Sequence, residues 1–372
     1  MPPSDFSSRL IVWQQHSGRH GLPWQGADAY RVWLSEIMLQ QTQVVTVIPY
    51  YRRFVDAFPD VVSLAAASEE QVLTCWSGLG YYARGRNLRC AAQVIAEKHD
   101  GVFPRRFEDI LALPGVGRST AAAVCALAYG ERRAILDGNV RRVLARHCGI
   151  DGWPGDKKVE ALLWQQAEVL LPSPTRAAGE RAGKSRAANS DVATYTQALM
   201  DLGAMVCTRS RPKCAACPVR EDCVALTTDR VAYLPSPRPR KAVPERHAVM
   251  LLLNQGSDIL LEKRAPHGIW GGLWSLPQFD DEEAAQEWFL RNGMASSRRE
   301  RLAPFTHTFT HFKLHITPLQ IELAAQPLGT AQPGSVWMAA PEALSAAIPA
   351  PVRVLINKWV EGNNGHANGA AL

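Results

Sequence analysis

Hydrophobic residues recur every three or four positions over most of the chain and alternate with polar residues in its last third. The first spacing is typical of amphipathic helices and the second of half-buried strands. We therefore predict helices at residues 31–57, 87–98, 107–112, 118–128, 139–147, 157–171 and 191–206. We predict strands at 247–254, 258–263, 273–279, 309–323 and 335–339, with further helices at 281–291 and 352–360. The pattern indicates a mainly α N-terminal region followed by a smaller α+β domain.

Two stretches contain too few hydrophobic residues to form a core. The small, polar and basic run Pro172–Asn189 predicts a mobile surface insertion, and the cationic, proline-rich run Leu234–Lys241 predicts a stiff linker. The expected division is a helical region at 1–233, a linker at 234–245, an α+β domain at 246–362 and a disordered tail at 363–372.

Composition narrows the class of protein. The chain has 372 residues, of which 47% are hydrophobic, so a large core is expected. Lys and Arg outnumber Asp and Glu by 41 to 35, and the resulting formal charge of +6 favours a polyanionic partner. No apolar run is long enough to span a bilayer. We therefore expect a monomeric cytoplasmic protein that does not bind membranes and, in a bacterium, associates with the nucleoid.

Four of the eight cysteines lie close together, separated by six, two and five residues: Cys207, Cys214, Cys217 and Cys223. Thiolates at such spacing predict one metal centre. Two CxxC pairs would favour zinc, whereas one CxxC pair flanked by two outlying cysteines suits an iron-sulfur cubane at least as well. The other four cysteines lie among apolar helical residues, which favours a role in core packing.

A two-glycine turn lies at about residues 113–120, between two predicted helices. Gly115 and Gly117 permit a tight turn with exposed backbone N–H groups, and the next helix begins there. Because the N-terminal end of a helix carries a partial positive charge, the turn is a candidate anion site. An ordinary connection between two helices is the alternative.

Two carboxylates are candidates for acid-base chemistry. On a helix, Glu36 shares a face with Val32 and Trp33, so burial should raise the pKa of Glu36 and make it a general acid. Asp137 precedes a predicted helix, where it could also serve simply as the N-cap. One protonated and one ionised carboxylate are what cleavage of a glycosidic bond through an oxocarbenium-like state requires.

Together, the glycine turn, Asp137 and the cysteine cluster resemble the helix-hairpin-helix DNA glycosylases of the endonuclease III superfamily. The segments 35–43, 78–84 and 136–140 are similar to its MutY branch, the adenine DNA glycosylases, and the similarity runs from about residue 7 to 360. This resemblance implies base excision repair of double-stranded DNA in which adenine is mispaired with 8-oxoguanine or guanine. It also implies a [4Fe-4S] cluster on the four cysteines.

The resemblance assigns roles to the catalytic residues. It implies that Glu36 protonates N7 of adenine and later handles the water, that Asp137 stabilises the sugar cation, and that Asn139 orients Asp137. Relatives with lyase activity carry a lysine nucleophile where this chain has Ser119, which cannot form a Schiff base. A monofunctional glycosylase is therefore expected.

The resemblance also implies a set of DNA contacts. Gln41, Thr42 and Tyr81 would enter the duplex around the lesion while adenine is flipped out. The turn at Gly115 and Gly117 would bind phosphates, with a monovalent or divalent cation held by its carbonyl groups.

The second domain resembles the Nudix-like domain of the same family through residues 268–274 and Leu276-Pro277. It lacks the glutamate-rich helix that binds magnesium in Nudix hydrolases, so hydrolysis of nucleoside diphosphates is not expected. Phe309, Thr310 and His311 match the loop that recognises 8-oxoguanine in relatives, where serine is usual at the middle position.

Three other functions remain open from the sequence. The first is a bifunctional glycosylase and lyase of the endonuclease III type, acting on oxidised pyrimidines, against which Ser119 argues. The second is a Nudix pyrophosphatase with a DNA-binding extension. The third is a catalytically silent DNA-binding module in which the metal has a purely structural role.

Overall fold

The computed structural model describes residues 3–173, 191–239, 242–266, 268–324 and 334–367. By their contacts, the residues group into two compact units. The first unit contains Met1–Ala66 and Asn87–Arg240, and the second contains Ala67–Arg86 and Lys241–Leu372. Most of the predicted insertion lies outside the described residues. The domain boundaries expected from the sequence stay a prediction.

Helices make up the chain as far as the cysteine segment. They are α1 (Pro3–Ser17), α2 (Ala29–Leu39), α3 (Val44–Ala57), α4 (Val61–Ala66), α5 (Glu69–Trp76), α6 (Ala83–Lys98), α7 (Phe107–Leu111), α8 (Arg118–Tyr129), α9 (Gly138–His147), α10 (Lys157–Val169), α11 (Asp191–Asp201) and α12 (Val224–Thr227). A π-helical turn, Leu202–Val206, continues α11, and a 3-10 turn spans Cys214–Ala216. None of the helices in the described ranges is both long and apolar enough to cross a membrane.

Small side chains let the central helices of the first unit pack closely. α8 buries six consecutive residues from Ala121 to Ala126, four of which are alanine, and it contacts both α2 and α11. The neighbouring core contains buried residues of α9 and α11 such as Val140, Leu144 and Leu199. This packing fixes the start of α8 and the start of α9 relative to α2. The candidate catalytic residues lie on α2 and at these two helix starts.

The second unit contains a mixed sheet. Its elements are β1 (Glu245–Gln255), β2 (Asp258–Lys263), β3 (Trp274–Ser275), β4 (Gln278–Phe279), α13 (Glu282–Arg291), β5 (Ser296–Arg301), β6 (Phe305–Thr308), β7 (Lys313–Leu323), β8 (Ser335–Ala339), α14 (Ala340–Ser345) and α15 (Ala350–Ala367). The strand order is β3-β2-β1-β7-β5, with β4 on β1, β6 on β7 and β8 on β2. β1 and β7 pair in parallel and the other pairs are antiparallel.

Both faces of the sheet are buried at β1, which explains the unbroken run of buried residues from Ala248 to Asn254. Met250 and Leu252 point into a core formed with α14 and α15, whereas Val249 and Leu251 pack against α13. Leu73 of α5 belongs to the first of these two cores. The mainly α region followed by an α+β domain, predicted from the sequence, is confirmed.

Several element boundaries differ from the predicted ones. The single helix expected at 31–57 is wrong, because the chain turns between α2 and α3, where Gln41 has a φ of 58°. The strand expected at 309–323 begins only at Lys313. β5 was missed because all six of its residues are exposed and show no alternation. α15 runs to Ala367, which places the first five residues of the expected disordered tail in a helix.

Candidate active site

Glu36 lies near the end of α2, a helix whose N-terminus is capped by the side chain of Asp28. Its neighbours Ile37 and Met38 are buried, and Glu36 itself is only partly accessible. Burial, and to a smaller extent the nearby negative charge of Asp137, raise the pKa of Glu36 to about 8. The rise expected from the sequence is thus confirmed. Glu36 carries a proton at neutral pH and can donate it.

Asp137 is the N-cap of α9, as the alternative interpretation of the sequence had it. Its Oδ1 accepts a hydrogen bond from the backbone N–H of Val140 at 2.7 Å. Burial raises the pKa of Asp137, and this effect outweighs the opposing hydrogen bonds from Val140 and Asn139 and the positive charges of Arg142 and Arg141. The same hydrogen bond that caps the helix therefore fixes the orientation of the Asp137 carboxylate.

Asn139 is held by an arginine on the next turn of α9. Arg142 Nη2 donates to Asn139 Oδ1 at 2.8 Å and to the Gly203 carbonyl at 2.6 Å, and its Nε donates to the Cys207 carbonyl at 2.7 Å. A Cβ at Gly203 would lie 2.6 Å from Asn139 Cβ, so only glycine allows this approach. Asn139 is therefore fixed by both α9 and the π-helical turn.

The glycine turn leaves the first amides of α8 accessible. Gly115 has a φ of 77°, and a Cβ there would lie 2.8 Å from Asn87 Cβ, so glycine is needed for both conformation and space. Gly117 is the N-cap of α8, no side chain caps the helix, and the space around Gly117 is open. A phosphate oxygen could approach this end of the helix.

Ser119 has a function that sequence reasoning missed. Its Oγ accepts a hydrogen bond from the backbone N–H of Leu136 at 2.9 Å, one residue before Asp137. On the next residue, Thr120 Oγ1 accepts a hydrogen bond from Gln40 Nε2 at 3.4 Å. The first turn of α8 thus holds both carboxylate-bearing segments. No sequence signal marks this role, because the partner of Ser119 is a backbone group.

The candidate DNA-contacting residues include two with left-handed backbone conformations. Gln41, in the first unit, has a φ of 58°, and Tyr81, in the second unit, has a φ of 49°. Such strain in non-glycine residues is typical of functional turns. Thr42 lies beside Gln41, and its Oγ1 donates to the Gln40 carbonyl at 3.3 Å.

The second unit brings together Tyr81 and the predicted lesion-recognition loop. The hydroxyls of Tyr81 and Thr310 are 3.1 Å apart, and both side chains are exposed. Phe309 stacks on Phe312 with a ring-centroid distance of 4.4 Å, and this contact holds the loop that carries Thr310. His311 is exposed beside them.

The four clustered cysteines line one small cavity of about 30 Å³. Burial raises the pKa of Cys217 to about 11. The buried Arg146 holds the surrounding loop, because its Nη1 donates to the Thr208 carbonyl at 2.7 Å and its Nε donates to the Leu234 carbonyl at 2.8 Å. Outside this cluster, Cys90 is exposed, so the core position expected for it is wrong.

The arrangement of these cysteines bears on the kind of metal they could hold. In the described part of the chain, no three His, Cys, Asp or Glu side chains are grouped closely enough to bind one metal ion. A cubane is bound by one cysteine at each iron, so its four ligands need not meet at one point. Four thiols that line one cavity are the donor set that an iron-sulfur cluster uses.

A cavity of about 500 Å³ adjoins α2, and its lining includes Trp24, Val32, Leu127 and Gln197. Val32 lies one helical turn before Glu36, on the same face of α2. An aromatic ring, aliphatic side chains and an amide are suitable for holding a planar heterocycle. Sequence reasoning missed Trp24 and Gln197, since neither belongs to a recognised motif.

Two protein-family models match parts of the chain. Residues 34–168 match the HhH-GPD superfamily of base excision DNA repair proteins, and residues 248–358 match the NUDIX domain.

Relatives of established name cover most of the chain. The adenine DNA glycosylase of Buchnera aphidicola subsp. Acyrthosiphon pisum is 37% identical over 319 residues, which cover 86% of this chain and 87% of the relative. The adenine DNA glycosylase of Homo sapiens is 32% identical over 410 residues, which cover 92% of this chain and 72% of the relative. Among solved structures, a thermostable thymine-DNA glycosylase superposes with a TM-score of 0.50 at 27% identity, covering 61% of this chain and 97% of that protein.

Proposed function

Because this chain belongs to the adenine DNA glycosylase family and is a DNA N-glycosylase, we propose that it removes adenine paired with 8-oxoguanine or guanine by hydrolysis. The observation that carries the proposal is the pair of carboxylates. Glu36 has a pKa of about 8 and senses the charge of Asp137, so one proton is available where a purine must leave.

Glu36 acts as the general acid. It donates its proton to N7 of the flipped adenine, which makes the base a neutral leaving group as the glycosidic bond breaks. The cavity beside Val32 receives the base, with Trp24 providing an aromatic surface. After the base has left, the Glu36 carboxylate accepts a proton from the attacking water.

Asp137 stabilises the sugar as positive charge develops on it. The hydrogen bond from Val140 fixes one carboxylate oxygen, so the group needs little reorganisation during the reaction. Asn139, itself held by Arg142, orients the segment from the other side. The carboxylate stabilises the cation through its charge or through a transient covalent bond to the sugar.

The reaction is monofunctional. Ser119 has no amine, and its hydroxyl oxygen already accepts the hydrogen bond from Leu136. Without a Schiff base, the sugar-phosphate backbone stays intact after the base has left. This argues against the endonuclease III type of glycosylase and lyase.

DNA is bound by both units. The amides of α8 and a cation at the Gly115 turn bind phosphates, while Gln41, Thr42 and Tyr81 enter the duplex around the flipped nucleotide. Phe309, Thr310 and His311 recognise 8-oxoguanine on the opposite strand. In α13 the sequence EEAAQEWFLR lacks the magnesium-binding pattern of Nudix hydrolases, which supports a role in recognition rather than hydrolysis.

A [4Fe-4S] cluster would be held by Cys207, Cys214, Cys217 and Cys223, whose thiols line one cavity. When bound, it would cross-link the loop between α11 and α12. That loop carries four exposed cations that could then meet the phosphate backbone: Arg209, Arg211, Lys213 and Arg220.

Single-turnover excision on three duplexes tests the proposal. They contain 8-oxoguanine:adenine, 8-oxoguanine:cytosine or thymine glycol, and strand breakage is scored before and after alkali. We expect adenine release from the first duplex alone, with breakage only after alkali. Breakage without alkali, borohydride trapping on an abasic duplex or processing of thymine glycol would favour the lyase, and turnover of 8-oxo-dGTP would favour the Nudix pyrophosphatase.

A further inference from the structure

α5 is a helix of the chain's N-terminal half that nevertheless packs within the second unit. Glu70 and Leu73 are spaced by three residues, so they lie on one face of this helix, and Ser77 is the residue that follows its end. Glu70 lies at the start of α5, Leu73 in its middle and Ser77 just past its end. Each of these three residues contacts a part of the second unit that follows position 241 in the sequence.

At the start of α5, Glu70 contacts the β2–β3 pair. Its Oε1 accepts a hydrogen bond from Trp274 Nε1 at 2.7 Å, and its Oε2 lies 3.4 Å from Lys263 Nζ. The Lys263 ammonium also lies 4.5 Å from the centroid of the Trp274 ring. The carboxylate thus meets an indole donor and an ammonium that are themselves in contact, an arrangement that favours the ionised form.

In the middle of α5, Leu73 is fully buried in the core that contains Met250 and Leu261. The loop before β3 lies close to the helix at Gly272, which has a φ of 75°. A Cβ there would be 2.5 Å from Glu69 Oε1 and 3.5 Å from Leu73 Cδ1. The positive φ at this position favours glycine, and a Cβ would require the Glu69 side chain to shift.

Beyond the end of α5, the turn that carries Tyr81 is held from both sides. Arg353 Nη2 donates to Ser77 Oγ at 3.1 Å, and the Tyr82 hydroxyl donates to the Ile348 carbonyl at 3.2 Å. Between these two contacts, Gly78, Gly80 and Tyr81 all have positive φ. A turn with such a backbone keeps its shape only when its surroundings enforce it.

We propose that Glu70, Trp274, Lys263 and Arg353 are positioning residues that hold α5 and thereby place Tyr81 against Thr310. This inference rests on the proposed function, in which Tyr81 and Thr310 act around the lesion. The four residues then set the preference for 8-oxoguanine over guanine opposite adenine, although none of them touches the base. We call them the α5 clamp.

Trp274→Phe tests the clamp, because phenylalanine keeps a ring beside Lys263 and removes the N–H that Glu70 accepts. Trp288→Phe, the same change on α13 at the opposite face of the sheet, is the control. One measurement is amide hydrogen exchange of residues 77–86 in the full-length protein. The other is the ratio of single-turnover excision rates on 8-oxoguanine:adenine and guanine:adenine duplexes.

We expect Trp274→Phe to speed exchange in residues 77–86 and to lower the rate ratio by about tenfold, the effect of losing one hydrogen bond to a charged group. Trp288→Phe should change neither. Glu70→Gln, which keeps an oxygen acceptor for Trp274 but loses the charge facing Lys263, should give an intermediate ratio. This second variant also provides the test if Trp274→Phe folds poorly.

Three results would overturn the proposal. They are unchanged exchange in Trp274→Phe, faster exchange with an unchanged rate ratio, and equal effects of the two tryptophan substitutions. Failure of the proposed function would look different from all three results. The wild-type protein would then release no adenine from either duplex, while hydrogen exchange of residues 77–86 would still report whether the clamp holds the turn.

Discussion

At the scale of single residues, the pKa of Glu36 is set by the residues that surround it. The residues around it on α2 remove water, and Asp137 adds a negative charge, so both effects raise its pKa. Asp137 is held differently, by N–H groups at the start of α9. Burial raises the pKa of Asp137 as well, but these N–H groups and the charges of Arg142 and Arg141 oppose the rise, so the two carboxylates lie in different environments.

The rate of adenine excision should fall as the pH rises above about 8. Excision needs protonated Glu36, whose pKa is about 8, so each further pH unit should reduce the single-turnover rate by up to about tenfold. Duplex affinity, measured by fluorescence anisotropy over the same range, separates this effect from binding. A rate that stays constant up to about pH 9.5 would show that Glu36 is not the acid.

Glu36→Gln should stabilise the protein in alkaline solution. The pKa of Glu36 is raised from 4.5 to about 8 on folding, so the unfolded state releases its proton first and the folded state loses stability as the pH rises between these values. Glu36→Gln has no ionisable group at this position, so its stability does not fall for this reason. Its melting temperature should exceed that of the wild type by about 2 °C or more near pH 8.5, and the two should coincide near pH 4.5. Equal melting temperatures at both pH values would contradict the raised pKa.

At the scale of elements, the start of α8 joins the two halves of the active site. Ser119 holds the segment before Asp137, and Thr120 meets the end of α2 through Gln40. The role of Ser119 could not be predicted, because a backbone N–H leaves no mark in a sequence. The apolar face of Glu36 and the cap at Asp137 could be predicted, since both depend on helical spacing and local hydrogen bonding alone.

Ser119→Ala should slow excision by about tenfold while duplex binding stays the same, because the buried Leu136 N–H loses its partner and the Asp137 segment loosens. Ser119→Thr keeps the hydroxyl and is the matched control. Equal single-turnover rates for Ser119→Ala and the wild type would show that the hydrogen bond does not position Asp137.

An ion pair that is buried at Asp201 connects Arg19, in the segment after α1, to α11. Asp201 is fully buried and accepts hydrogen bonds from Arg19 Nε and the Arg19 backbone N–H, both at 2.7 Å. Asp201→Asn should lower the free energy of unfolding by about 3–5 kcal/mol, because it leaves the Arg19 charge without its partner. Asp191→Asn, on an exposed position of the same helix, should have little effect in the same urea titration. Similar stabilities would show that the pair is dispensable.

At the scale of the whole molecule, sequence periodicity predicted the fold class. It did not predict to which of the two units each helix or strand belongs. α5 belongs to the second unit because Leu73 packs with residues far along the chain, and no local pattern reports such a partner. β5 was missed for a related reason, since it is held by pairing with β7 rather than by burial. The grouping of the four cysteines around one cavity could be predicted, because they lie in one short segment.

Loss of one cluster ligand should affect the whole cysteine segment. Cys217→Ser should abolish the visible absorbance of the iron-sulfur cluster and weaken DNA binding, since the loop with its four exposed cations would no longer be cross-linked. Cys90→Ser, at an exposed cysteine outside the cavity, should retain both properties. A purified wild-type protein without iron, or a Cys217→Ser protein with unchanged absorbance, would contradict the assignment.

The most direct test of the account is single-turnover adenine excision by Glu36→Gln beside the wild type, on a duplex with one 8-oxoguanine:adenine pair. Removing the general acid should slow excision by about a thousandfold, while duplex affinity stays within about threefold of the wild type. Excision by Glu36→Gln within about tenfold of the wild-type rate would show that the protonated carboxylate is not what releases the base.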